Sequence, residues 1–212
     1  MNLIGFISLA EKLKTQLRHS YTSNSSRQES VAEHTWMICL LAILIIPKLQ
    51  KKLDLSKVLQ LAVIHDLAEA ITGDIPAFET SERKANKAED EENAMQTLLH
   101  ALQDKKSEIN IQKLWEEYEQ RQTEESRLVK ALDKLEVLLQ HNNADISTWD
   151  DGDFGLNPYD SGLLFQDDTF LTTLKQLVDT QTMEKIEASN MINRVKSDHL
   201  KRWEKEKNSS NK

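Results

Sequence analysis

The stretch LAVIHDLAEAITGDIP, from Leu61 to Pro76, sets a histidine and an aspartate side by side in an apolar helical run. Val58, Leu59, Leu61, Ala62, Ile64 and His65 share helical spacing, which predicts a core helix closed by the left-handed terminator Gly73. A second acid, Glu69, follows one turn after His65-Asp66, and a third, Asp74, lies just past the glycine. An apolar interior rejects uncompensated charge, so these groups need partners.

Adjacent helical residues point about 100° apart, so His65 and Asp66 can both reach one small ion beside the helix. Imidazole nitrogen and carboxylate oxygen suit several divalent metals, and ligand type does not choose among Mn, Co, Mg, Zn, Fe and Ni. Two further candidates stand elsewhere. His34 follows the capping box Ser30-Val-Ala-Glu33, in the first turn of an earlier helix. Asp133 has Val129 and Val137 as one-turn neighbours and interrupts an apolar stripe. Taken singly, His34 reads as a satisfied interior histidine, and Asp133 as the partner of Lys130 or Lys134. Together, His34, His65, Asp66 and Asp133 point to one divalent metal ion.

The rest of the chain supplies the frame. Its 212 residues include only 5 Gly and 3 Pro, which disfavours a fold of many tight turns. Helical spacing recurs in Leu3 to Leu17, in a charged helix from Thr80 to Gln103, around Ile111 to Tyr118, and from a Thr123 cap through Leu139. The segment RHSYTSNSSRQES breaks the first helix with turn-forming residues. Helices resume at Phe170 to Leu177 and Met183 to Trp203. No segment alternates as a strand, so the fold class is all-α, with seven to nine helices. The net charge of -8 disfavours nucleic acid and anionic membrane as partners. The apolar run Trp36 to Ile46 is too short to span a bilayer and reads as a core helix. The first residues, MNLIGFISLAEKLK, lack a basic leader, and Cys39 has no disulfide partner, so the expected location is cytoplasmic.

The blocks ESVAEHTW, HDLAEAITGDIP and KALDKLEVLLQ, in this order, resemble the HD-domain phosphohydrolase superfamily, and more narrowly its 5'-deoxynucleotidases. LWEEYE, before the last block, is also similar to that group. The resemblance covers about Phe6 to His141. It implies a single HD-domain helical bundle with its metal site in the centre, held by His34, His65, Asp66 and Asp133. It implies that Glu69 and Asp74 are catalytic and that Arg18 binds the substrate phosphate. Their bland readings are an exposed helix acid, a turn former and a surface arginine at a helix end. The loop after Arg18 departs from the group's pattern: relatives carry a tryptophan and a second arginine where this chain has HSYTSNSSR, with Tyr21 and Asn24 near those places. Base and sugar selection stay open. His100 and His141 are left outside a one-metal site, and His19 and His199 are expected to face solvent.

The resulting expectation is a metal-dependent phosphomonoesterase that hydrolyses deoxynucleoside 5'-monophosphates to deoxynucleoside and phosphate. The alternatives are another HD-family phosphohydrolase, acting on phosphodiesters or nucleoside triphosphates, and a non-catalytic metal-stabilised binding protein. The expected organisation is a core over residues 1–145, a helical extension packed on the same domain over 146–206, and a disordered tail over 207–212. Apolar stripes on the first and last helices exceed what one small core needs. With the resemblance, they lead to the expectation of a homodimer.

Overall fold

The structure, a computed structural model, describes residues 2–159 and 162–210. Among the described residues it has eleven α-helices and one two-stranded sheet, so the all-α class holds. It divides into two compact units: Met1–His19 with Gln28–Glu136, and Ser20–Arg27 with Val137–Lys212. The sequence placed a boundary at Asp145. The division instead passes inside a helix, where no compositional break exists to mark it.

The first unit contains α1 (Leu3–Ala10), α2 (Val31–Ile45), α3 (Leu55–Ile64), α4 (Glu69–Thr72), α5 (Glu82–Ala85), α6 (Lys87–Leu102), α7 (Lys105–Gln120) and the first turns of α8 (Glu124–Asn143). One core cluster joins Leu67, Ala68, Ala94, Met95, Leu98, Leu99, Leu102 and Trp115, with Phe6, Leu9, Ile64 and Ile111 packed against it. The caps fall where the sequence puts them. Ser30 Oγ accepts from Glu33 N at 3.3 Å while Glu33 Oε2 accepts from Ser30 N at 2.9 Å. Asp54 accepts from the amides of Ser56 and Lys57 to start α3, and Thr123 Oγ1 accepts from Ser126 N to start α8. By length and composition alone, Val31–Lys48 could cross a membrane. Its buried residues Val31, His34, Ile38, Ala42 and Ile45 include an ionisable group with a carboxylate partner, which suits a core helix of this unit.

Three local readings change. The segment expected as a plain break forms a hairpin, β1 (Leu17–Tyr21) with β2 (Gln28–Ser30). The strands are too short to show a period of two. Their turn is closed by side chains: Asn24 Oδ1 accepts from Thr22 Oγ1, Ser26 Oγ and Ser26 N. The charged helix expected from Thr80 to Gln103 is two, α5 and α6, separated at Asn86.

The third change matters most. The helix expected to run to Gly73 stops at Ile64. His65 Nδ1 lies 2.7 Å from the Ala62 carbonyl, the group that Asp66 N–H would use if the helix continued. The chain then turns through i to i−3 bonds, Leu67 to Ile64, Glu69 to Asp66 and Ala70 to Leu67. α4 restores the regular winding and ends at Gly73, whose φ of 76° suits glycine.

The second unit holds the end of α8, α9 (Asp151–Leu156), α10 (Thr169–Ala188) and α11 (Ser197–Ser210). Trp149, Phe154, Tyr159, Met183, Ile186, Val195 and Trp203 form its core cluster. The apolar stripe of the last helix is thereby used up: Trp203 is buried and Leu200 packs against the cluster. Of the stretch expected to be a disordered tail, residues 207–210 are helical, and 211–212 lie outside the described residues.

Candidate functional site

Every residue singled out for chemistry falls in the first unit, and four secondary-structure elements, a turn and a loop bring them together. α2 carries His34 on its first turn, directly after the capping box. The tight turn between α3 and α4 presents His65 and Asp66, α4 presents Glu69, and the loop after Gly73 presents Asp74. α8 contributes Asp133, and β1 contributes Arg18, which lies on a strand and not at a helix end.

Ligating atoms of His34, His65 and Asp66 all lie within 4.8 Å of one another. His65 Nε2 is 3.0 Å from Asp66 Oδ2. His34 Nε2 is 3.8 Å from the same oxygen and 3.3 Å from Asp133 Oδ1. Both Nε2 atoms are buried and make no hydrogen bond of good geometry. Their opposite ring nitrogens are committed. His34 Nδ1 sits 2.5 Å from Glu136 Oε2, and His65 Nδ1 faces the Ala62 carbonyl. Each ring thus turns Nε2 toward a carboxylate, His65 toward Asp66 and His34 toward both Asp66 and Asp133. Two orphaned imidazole nitrogens beside two carboxylate oxygens are a donor set that fits a divalent ion.

The electrostatics of the metal-free site agree. Burial and the Arg18 charge lower the His34 pKa, but Glu136 and Asp133 outweigh them and it is pushed up to about 10. The raised pKa favours a proton on the ring, so an ion taken up at Nε2 would displace it. Burial would raise the Asp66 and Asp133 carboxyls. The cations and imidazoles around them, His65 and Arg18 for Asp66 and Lys130 and His34 for Asp133, hold both below the usual range.

Arg18 reaches into the site with its side chain 11% exposed. Its Nη1 lies 3.3 Å from Asp66 Oδ2 and 3.2 Å from Asp74 Oδ1, and its Nε lies 3.9 Å from Glu29 Oε2. Glu69 is 2% exposed, with Oε1 3.6 Å from Lys87 Nζ and Oε2 without a hydrogen-bond partner. Burial, then the charges of Asp66 and Asp74, push its carboxyl up to about 9. It is not the exposed acid of the bland reading.

Four residues that the sequence reading missed complete the surroundings: Glu136 behind His34, Lys87 beside Glu69, Glu29 beside Arg18, and Tyr118 near Asp133. Glu136 carried a signal: it stands three residues after Asp133, inside the apolar run of α8. Of the remaining histidines, His100 is exposed and His141 is buried in the second unit, its Nδ1 2.8 Å from Asn157 Nδ2. His19 and His199, expected to face solvent, are half-buried. His19 packs edge-on to Phe78 and His199 edge-on to Tyr159. Asn24, near the place of the second arginine in relatives, spends its side-chain oxygen inside its own turn.

Comparison with known proteins gives a consistent picture. A family model described as HD domain matches residues 10–162. The chain is 36% identical over 141 residues to the 5'-deoxynucleotidase HDDC2 of Danio rerio, covering 66% of this chain and 68% of that protein. The HDDC2 of Homo sapiens is 34% identical, covering 66% of each chain. The 5'-deoxynucleotidase hdd1 of Schizosaccharomyces pombe is 30% identical, covering 66% of this chain and 71% of its own. The chain thus spans about two thirds of the length of these relatives. A crystal structure of a predicted metal-dependent phosphohydrolase from Magnetospirillum magnetotacticum superposes with a TM-score of 0.74. That protein is 25% identical, and the match covers 92% of this chain and 94% of the other.

Proposed function

We propose a substrate from one premise: the chain belongs to the HD-domain family and is a metal-dependent phosphohydrolase. Its substrates are deoxynucleoside 5'-monophosphates, and its products are the deoxynucleoside and phosphate. The observation that carries the reading is the pair of buried, unpartnered Nε2 atoms of His34 and His65 facing Asp66 and Asp133, with Arg18, Glu69 and Asp74 around them.

His34, His65, Asp66 and Asp133 would hold a divalent cation, which when bound polarises a phosphoryl oxygen and lowers the pKa of water. Arg18 neutralises the phosphate, since its planar fork matches two phosphoryl oxygens. Its present partners, Asp66 and Asp74, hold the guanidinium at the site before substrate arrives. In the reaction a water oxygen bonds to phosphorus and the bond from phosphorus to the 5'-oxygen breaks. The water loses a proton and the leaving oxygen gains one. Glu69 and Asp74 are the carboxylates assigned to these transfers. Glu69 Oε2, buried and unpaired, is open to a new hydrogen bond.

The proposed homodimer draws support from α1, where Leu3, Ile4 and Ile7 are exposed, and from Trp36, Ile43 and Leu44 on α2. The decisive experiment is phosphate release from a panel of nucleotides with manganese or cobalt. Deoxynucleoside monophosphates are expected to turn over and Asp66→Ala to abolish it. Metal-loaded protein that releases phosphate from no monophosphate would overturn the reading.

A further inference from the structure

Asp133 presents two different oxygens to two different neighbourhoods. Oδ1 faces His34 Nε2 at 3.3 Å. Oδ2 faces away, with Lys130 Nζ at 2.8 Å and the Tyr118 hydroxyl at 3.3 Å. Lys130 Nζ also donates to the Tyr118 hydroxyl oxygen at 3.1 Å, which closes a triangle of three groups. We propose that Tyr118 and Lys130 are positioning residues that occupy Oδ2 of Asp133 and commit it to the metal through Oδ1 alone. The inference rests on the reading of Asp133 as a metal ligand.

The plain alternative is an i,i+3 ion pair on a helix surface, of the kind worth a few tenths of a kcal/mol. Three features separate this arrangement from that. Lys130 and Asp133 are mostly buried, with side chains 24% and 11% exposed, so their charges are poorly screened. Tyr118 comes from α7 and delivers a second donor to the same oxygen. Its ring also lies edge-on to the His65 ring, 5.2 Å between centroids, so one tyrosine touches two of the four proposed ligands. A carboxylate oxygen that accepts from an ammonium and a phenol has few lone pairs left for a cation. Single-oxygen ligation by Asp133 leaves one more coordination position for water or phosphate.

The test uses cobalt as the probe, because its visible absorption reports the number and geometry of donors. Wild type and the Tyr118→Phe/Lys130→Met double variant are titrated with Co2+, and their visible spectra are compared. The double variant is expected to bind cobalt with a shifted, weaker band, since the freed Oδ2 adds a donor. Lys130→Arg, which keeps the cation, is expected to retain the wild-type band. Tyr118→Phe, which keeps the ring and so the packing, should fall between and guards against misfolding of the double variant. A double-variant spectrum that superimposes on wild type overturns the clamp. Where Asp133→Asn still removes the wild-type band, the metal reading survives that result. A wild-type band unchanged by Asp133→Asn overturns the metal reading and the clamp together.

Discussion

Glu136→Gln is the sharpest perturbation of the proposed metal site, because it replaces no proposed ligand and acts only through His34. Glu136 is 1% exposed, and its Oε2 lies 2.5 Å from His34 Nδ1. The carboxylate does two things there: it fixes the tautomer with hydrogen on Nδ1, and it makes the ring a stronger base at Nε2. The amide keeps the volume and removes the charge. If the amide oxygen faces Nδ1, the tautomer survives but basicity falls. If the amide nitrogen faces Nδ1, the hydrogen moves to Nε2 and the ligating atom is lost. Loss of such a partner weakens metal binding by about 10- to 100-fold, which corresponds to about 1.4 to 2.8 kcal/mol.

The assay is calorimetric titration of metal-free wild type and variant with Mn2+ near neutral pH, with a thermal melt of each to show that both are folded. The protons released on binding are read from titrations in buffers of different ionisation enthalpy. Wild type is expected to release more protons than the variant, because the carboxylate helps to hold the His34 proton that the ion displaces. A folded variant with the wild-type metal affinity would refute the assignment of Nε2 as the ligating atom and of Glu136 as its support.

Metal-free protein should lose stability as pH rises from about 4.5 toward 9, since a carboxyl whose folded pKa is raised favours folding only while it is protonated. For Glu69 the slope approaches about 1.4 kcal/mol per pH unit. Denaturant melts of Glu69→Gln against wild type across that window isolate the residue, because His34 shifts in the same direction in both; parallel curves would reject the buried, neutral Glu69. Arg18→Ala should abolish inhibition by inorganic phosphate without weakening Mn2+ binding, because it removes a cation from beside Asp66. Weaker Mn2+ binding would make Arg18 a structural support and not a phosphate clamp. Gly73→Ala should destabilise the protein by about 1 to 2 kcal/mol, because φ is 76° and a Cβ would lie 2.9 Å from Arg83 Nη2. That guanidinium donates to the Thr72 and Asp74 carbonyls, so activity should fall along with the melting temperature.

What the sequence revealed and what it hid divides along a physical line. Helices and caps were legible because their causes lie within a few residues: the spacing of Leu128, Leu132, Leu135 and Leu139 makes α8, and Thr123 starts it. Asp133 was legible because it offends that local pattern. Glu136 offends it equally but, standing beside Lys134 and Gln140, it passes for a surface acid. Only His34, 102 residues away in the chain, explains its burial. The break of the core helix at Ile64 was illegible for a related reason. Apolar spacing continues through His65, and at the point where the winding changes the imidazole meets a carbonyl that the backbone would use. The hairpin bearing Arg18 gave too few residues to show a period.

Asp133 shows most clearly how far a local reading reaches. Pairing with Lys130 is the bland alternative to metal ligation, and in the sequence the two look like rivals. In the structure the Lys130 pair and the approach of His34 coexist, on opposite oxygens of one carboxylate. The rivalry came from treating a side chain as a point charge. A carboxylate has two acceptor atoms, and here one faces His34 while the other accepts from Lys130 and Tyr118. Positions with a sound local explanation are therefore also where supporting residues of a metal site hide, and burial of the supposed surface partner, here Lys130, distinguishes the two cases.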